Sequence, residues 1–368
     1  MKTFIRTTIF ALLAIFTFTS CINDDYNIST QSEEIAVNLV VSLGPSQKTR
    51  ATYSDGEDAV GNEYFISVKP VQDFELLVYN TDGTLRTKAV IEYAEPRGYN
   101  TYQLKGKFYT FRENDLNQNY KFVVVANAQS GSCNIGRSID WLATGNQANL
   151  YSQLKYEYNN AKSFTKNILE ESESNEEKIP MWGCLTAKLV NGANLNIQLV
   201  RAMAKVTVST ASDLGKKIES VKLVGYNKAG MLTPKNAASN ANTYEVNSEN
   251  GDTEVNVPEG VSFEKEELPF ATYEKNDGTM YYCLYIPEQT KDADSKIIVI
   301  IDGEEYKLHF AKYDENHNST NPGEKYPVLR NNWYNYVIKS VSPKGIDLSL
   351  QYYVADWNSK NPTNIEFN

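Results

Sequence analysis

The sequence predicts an all-β chain, two antiparallel β-sandwiches in series with short helices confined to loops. Three observations lead there. The chain carries 25 tyrosines and 14 phenylalanines beside many Val, Ile and Thr residues, the types that fit a pleated, half-buried surface. Short runs alternate apolar and polar side chains and stop at Asn, Asp, Gly or Pro. Helical spacing of apolar residues is confined to one region, between residues 138 and 169.

Taken in order, the chain opens on a targeting segment over residues 1–20. Lys2 and Arg6 form a basic start and Ile9 to Phe18 an apolar run. That run falls short of the roughly 20 residues a membrane-spanning helix needs. Phe18-Thr19-Ser20 then places small residues directly before Cys21, which resembles a bacterial lipoprotein signal with Cys21 as the acylated anchor. Asp24 and Asp25, close behind it, resemble the surface-export signal of Bacteroidetes lipoproteins.

The first predicted strand follows. Ile35, Val37, Leu39, Val41 and Leu43 share one face, while Ala36, Asn38 and Ser42 lie on the other. Gly44 and Pro45 end it, and a polar tether leads to the junction Arg50-Ala51, an exposed basic site of the kind a trypsin-like protease cuts. On residue types alone, an ordinary first strand with a surface loop behind it is the plainer reading.

Phe74 to Tyr79 reads as a strand entering a turn at Asp82-Gly83, and Tyr120 to Ala128 as a buried strand. Thr101 to Phe111 alternates loosely and suits pairing with either. From Ser138 to Leu169 the spacing predicts short helices and loops outside a sheet. The acidic run Glu170 to Lys178 reads as a solvated loop, since nothing in it orders the carboxylates into a calcium shell.

Leu195, Ile197 and Leu199 keep one strand phase, and Ala202, Ala204, Val206 and Val208 keep the other. A one-residue slip exchanges the two faces, so a bulge or a change of sheet is expected near Val200-Arg201. The domain boundary is placed there, separating a sandwich over 51–198 from one over 199–368. In the second, Ile218 to Tyr226 and Met280 to Pro287 read as strands, Gly225 to Asn242 as a polar loop, and Lys296 to Phe310 as a hairpin turning at Asp302-Gly303. Leu329 to Val341 and Ile346 to Val354 close the fold, with a weaker tail beyond.

The net charge of −10 leaves no basic patch for phosphates and argues against nucleic acid. Residues 1–50 carry four charges of each sign, so losing them leaves that balance unchanged. Beyond Cys21 only Cys133, Cys184 and Cys283 remain, too few for a disulfide framework and without zinc-type spacing. The two histidines, His309 in a predicted strand and His317 in an Asn-rich loop, support neither a metal cluster nor a nucleophilic triad. No phosphate loop or nucleophile elbow occurs, so no enzyme, catalytic residue, metal or cofactor is expected.

A family resemblance rests on several features in order. These are the lipoprotein leader, the amphipathic strand with its Arg50-Ala51 tether, Ile179-Pro180-Met181-Trp182-Gly183, the segment Leu199 to Val206, and Leu329-Arg330-Asn331-Asn332-Trp333-Tyr334-Asn335-Tyr336. Together they resemble the fimbrillins of Bacteroidetes, the Mfa1/FimA-like subunits of type V pili, over nearly the whole chain. The resemblance implies transthyretin-like sandwiches and a precursor held in the outer-membrane lipid through Cys21. It implies that an arginine-specific protease cuts between Arg50 and Ala51, releasing residues 21–50 with the strand that bears Ile35, Val37, Leu39, Val41 and Leu43.

A carboxy-terminal strand of another fimbrial subunit would then fill the groove, giving a head-to-tail polymer on the cell surface. Tyr352, Val354, Ile365 and Phe367 are the candidate donor residues, although a tail packed on its own subunit fits them as well. A tip or accessory subunit stays open, as does a non-polymerising surface lipoprotein that binds glycan or a host protein. Host or bacterial surface ligands would be further partners.

Overall fold

The structure, a computed structural model, describes residues 35–43, 73–97, 101–128, 146–157, 161–169, 177–246, 254–260, 263–274, 279–311, 313, 322–342 and 348–356. In chain order the first elements are β1 (Ile35–Leu43), β2 (Phe74–Asn80), β3 (Leu85–Lys88), β4 (Val90–Pro96), β5 (Thr101–Phe108) and β6 (Asn119–Ala126). Next come α1 (Gln147–Gln153), β7 (Lys155–Glu157), α2 (Ala161–Leu169), β8 (Met181–Lys188) and β9 (Ala193–Arg201). Eight of these strands form one sheet in the order β3-β2-β6-β8-β9-β1-β5-β4.

This sheet folds over on itself. Its seam is the β8–β9 pair, which holds only at Met181–Arg201 and Trp182–Val200. The backbones approach so closely there that a Cβ on Gly183 would lie 2.1 Å from the Gln198 carbonyl oxygen, so only glycine fits. The two layers meet face to face through Leu76 against Gly106 and through the rings of Phe74 and Tyr102, 5.5 Å apart. Phe108, Phe111 and Tyr120 continue the core as an edge-to-face chain.

The chain leaves this sheet at Arg201 and enters another within two residues, so the phase change in the sequence marks a change of sheet. The elements beyond are β10 (Ala204–Thr210), β11 (Ile218–Asn227), β12 (Ala229–Met231), α3 (Lys235–Ser239), β13 (Phe263–Pro269) and β14 (Ala271–Glu274). They continue with β15 (Met280–Ile286), β16 (Lys296–Ile301), β17 (Glu304–His309), β18 (Asn332–Val341) and β19 (Leu348–Asp356). A five-stranded sheet, β14-β15-β10-β18-β19, faces a four-stranded one, β13-β11-β16-β17. Between them the Tyr282 hydroxyl donates to the Ile218 carbonyl at 2.6 Å, and the Phe310 ring meets Tyr334 at 5.6 Å. The expected hairpin is β16–β17. Asp302 and Gly303 at its tip have φ of 53° and 77°, the pair of positive values a type I′ turn requires.

Three expectations need correction or refinement. Thr101 to Phe111 pairs with neither of the strands proposed for it, because β5 lies between β1 and β4. The alternation of β5 is strict, and its partners are β4, the strand just before it, and β1, which is distant in sequence. Gly225 to Asn242 is not simply a polar loop: it contains β12 and α3 and buries Ala229, Met231, Leu232 and Ala237. The all-β class holds, but two pairings, β1–β9 and β10–β18, are parallel.

Candidate functional site

The slot occupied by β1 is the site to which the sequence pointed. Strict alternation gives β1 two unlike faces. Val37, Leu39 and Val41 are fully buried and Ile35 and Leu43 nearly so, while Ala36, Asn38, Val40 and Ser42 are half-exposed. The strand pairs antiparallel with β5 from Ile35–Phe108 to Ser42–Thr101, and parallel with β9 from Val37–Ala193 to Leu43–Leu199. Its first turn is fixed by the β8–β9 connection: the Ala36 amide donates to the Asn191 Oδ1 at 3.1 Å, and the Gly192 amide donates to the Ala36 carbonyl at 2.8 Å.

β1 is therefore a central strand. Without it β5 would keep only β4 as a ladder partner, and β9 only the two-residue seam with β8. Burial of the five apolar side chains, at about 1.5–3 kcal/mol each, amounts to roughly 7–15 kcal/mol before ordering costs. Losing the strand would also leave two ladder edges without partners. What such a slot can do chemically is accept any extended chain with the same alternation, through main-chain bonds on both sides and side chains in alternate pockets.

The other anticipated residues are distributed differently. Tyr352 and Val354 lie on β19, paired with Tyr336 and Tyr334 of β18, at the edge of the five-stranded sheet and remote in topology from the slot. Val354 is half-buried against the core. Cys21, Arg50, Ala51, Ile365, Phe367, Cys133 and His317 lie outside the described residues. Cys184 on β8 and Cys283 on β15 are both buried and form no disulfide with each other; burial pushes the Cys184 thiol up to about 12. His309 sits on β17, where burial lowers its pKa. No group of three or more His, Cys, Asp or Glu suited to a metal occurs among the described residues.

Sequence reasoning missed a buried ion pair. Arg330, just before β18, donates to the Glu288 carboxylate at 2.7 Å and to the Met231 and Leu232 carbonyls, and the Asn256 amide also donates to Glu288. Both side chains are almost wholly buried. The pairing joins positions 42 residues apart, a separation for which the sequence has no local signal.

Comparison with known proteins now bears on this geometry. A family model described as fimbrillin-A associated anchor proteins Mfa1 and Mfa2 matches residues 66–362. Among solved structures, the chain is similar to the tip fimbrial protein Mfa3 from Porphyromonas gingivalis, with a TM-score of 0.51 and 14% identity over 88% of this chain and 100% of that one. A fimbrial assembly protein from Parabacteroides distasonis gives a TM-score of 0.46 and 14% identity, covering 91% of this chain and 100% of that one. At such identities the likeness to Mfa3 concerns the fold alone. Comparison with curated proteins returned no match.

Proposed function

The chain belongs to the family of fimbrillin-A associated anchor proteins Mfa1 and Mfa2, a family of fimbrial proteins, and from that premise we propose that it is a fimbrial subunit assembled by exchange of β1. A lipid-anchored precursor, held through Cys21, is cut between Arg50 and Ala51. Residues 21–50 then depart with β1, and an extended carboxy-terminal segment of a neighbouring subunit takes the vacated slot.

The observation that carries this reading is the position of β1. An amino-terminal segment is an interior strand of its layer, and the chain that connects it to the later strands runs through the stretch that contains Arg50. The donor is assigned to the region of Tyr352, Val354, Ile365 and Phe367. β1 and β19 belong to different sheets, so a contact between the slot of one subunit and the carboxy-terminal region of the next would be head-to-tail and would not close, which yields a filament.

A second reading is favoured by the family description, which names anchor proteins. An anchor would keep the Cys21 lipid, remain uncut and retain β1. Treating the precursor with an arginine-specific protease and running it on a mildly heated gel separates the two. A ladder of multimers that disappears in Arg50→Ala supports the exchanging subunit; a cut chain that stays monomeric, or an Arg50→Ala chain that still assembles, refutes it.

A further inference from the structure

Two excursions from the sheets are exchanged between the halves of the fold. Residues 146–157 and 161–169 stand between β6 and β8 of the first sheet in sequence, yet α2 lies on the five-stranded sheet. There Phe164 meets Tyr285 edge-on at 6.4 Å, and the Tyr285 amide donates to the Thr165 hydroxyl at 3.2 Å. The stretch 229–246 leaves the four-stranded sheet between β11 and β13, yet it lies on β6 and β8 of the first. Lys121 donates its Nζ to the Ala241 carbonyl, the Cys184 thiol donates to the Tyr244 carbonyl at 3.1 Å, and the Thr186 amide donates to Glu245 at 2.9 Å.

The two excursions also grip each other. β7 pairs antiparallel with β12, and the Leu232 amide donates to the Leu154 carbonyl at 2.7 Å. Tyr156 passes over Gly230, where a Cβ would stand 2.3 Å from the phenol oxygen, and donates its hydroxyl to the Ala202 carbonyl at 2.8 Å. Ala202 is the crossing point between the sheets, so Tyr156 fastens the junction itself.

We propose that these reciprocal arms form a clasp that makes the first sheet and the two later sheets a single cooperative unit. Paired sandwiches joined by a short crossing would ordinarily move and unfold with some independence. Here each half supplies part of the other's covering, so neither opens without displacing an arm that the other half holds. In a fimbria this couples the β1 slot to the sheet that carries β19, and tension across the crossing is shared by the arms. That last step rests on the fimbrial reading; the clasp does not.

Hydrogen exchange of the full chain through a urea series tests it, comparing peptides that cover β6 with peptides that cover β10 and β15. Coincident midpoints are expected in the native chain. Separated midpoints there would overturn the proposal outright, whatever any variant does. In Gly230→Val with Phe164→Ala the two groups of peptides should part, with at least a tenfold difference in protection at intermediate urea. Continued coincidence in that variant would also overturn it. Should the double variant fail to fold, Tyr156→Phe, which removes only the hydroxyl on Ala202, is expected to part the midpoints in the same direction by a smaller factor, and coincidence there counts against the clasp. None of these outcomes depends on fimbrial assembly.

Discussion

β1 and β19 are alike as sequence and unlike as structure. Both are nine-residue strands of alternating character, one near each end of the chain. β1 has ladder partners on both sides and five buried apolar side chains, whereas among the described residues β19 pairs only with β18 and forms a sheet edge. Alternation fits a strand for a groove, but the number of neighbours decides what its departure does. Withdrawal of β1 divides a layer, while withdrawal of β19 only narrows one. Under the exchange proposed above, a slot of the first kind would need a replacement strand, and a segment of the second kind would be the one to supply it.

The largest effect that can break this comparison is deletion. A chain lacking residues 1–50, made without any donor, is expected to lose its soluble monomer, whereas one ending at residue 347 should stay soluble and cooperatively folded with a lower melting temperature. Soluble yield and thermal unfolding of the two truncations decide it, and the reverse pattern would make β19 the indispensable strand. Single residues sharpen it next. Leu39→Asp places a charge at a fully buried position and should cost more than about 4 kcal/mol. Val354→Asp, at a half-buried one, should cost no more than about 2 kcal/mol in denaturant titrations.

A peptide supplied in trans gives a more moderate effect. The sequence Ile35 to Leu43, present while the chain lacking residues 1–50 refolds, should stabilise its folded state and restore soluble monomer. A peptide of the same composition with the alternation scrambled should not. Equal stabilisation by both would mean that the slot does not read alternation.

The smallest effect concerns pH and lies near β18, where the Tyr336 hydroxyl donates to the His309 carbonyl at 3.0 Å. Burial holds the folded-state pKa of His309 below its ordinary value of 6.5, so the unfolded chain takes up this proton first. Its stabilising contribution is complete above about pH 6.5 and is lost as pH falls through that value toward the folded-state pKa. His309→Gln should flatten the stability slope between about pH 7 and pH 5 without touching peptide binding at the slot. An unchanged slope would place the pH dependence elsewhere.

Much of the fold was legible because its signals are local. β1 shows its alternation and its stop at Gly44-Pro45, and β16–β17 shows its Asp302-Gly303 turn. The change of sheet at residue 201 was visible as a phase slip. β4, with Glu92, Glu95 and Pro96, and β13, with Glu264, Lys265, Glu266 and Glu267, were not, since both are sheet edges whose charged residues hide the strand pattern. β7 and β12 hold three paired residues each and exist only through tertiary contact. The buried face of β1 was readable residue by residue, but its place between β5 and β9 was not, because strand order is set by pairings across 59 to 73 residues with β5 and 156 residues with β9.

The most direct test of the central claim is the intact mass of the protein in material assembled on the cell surface. The expected result is a chain that begins at Ala51, without lipid and without β1. A lipidated chain beginning at Cys21, with residues 35–43 still present, would contradict it.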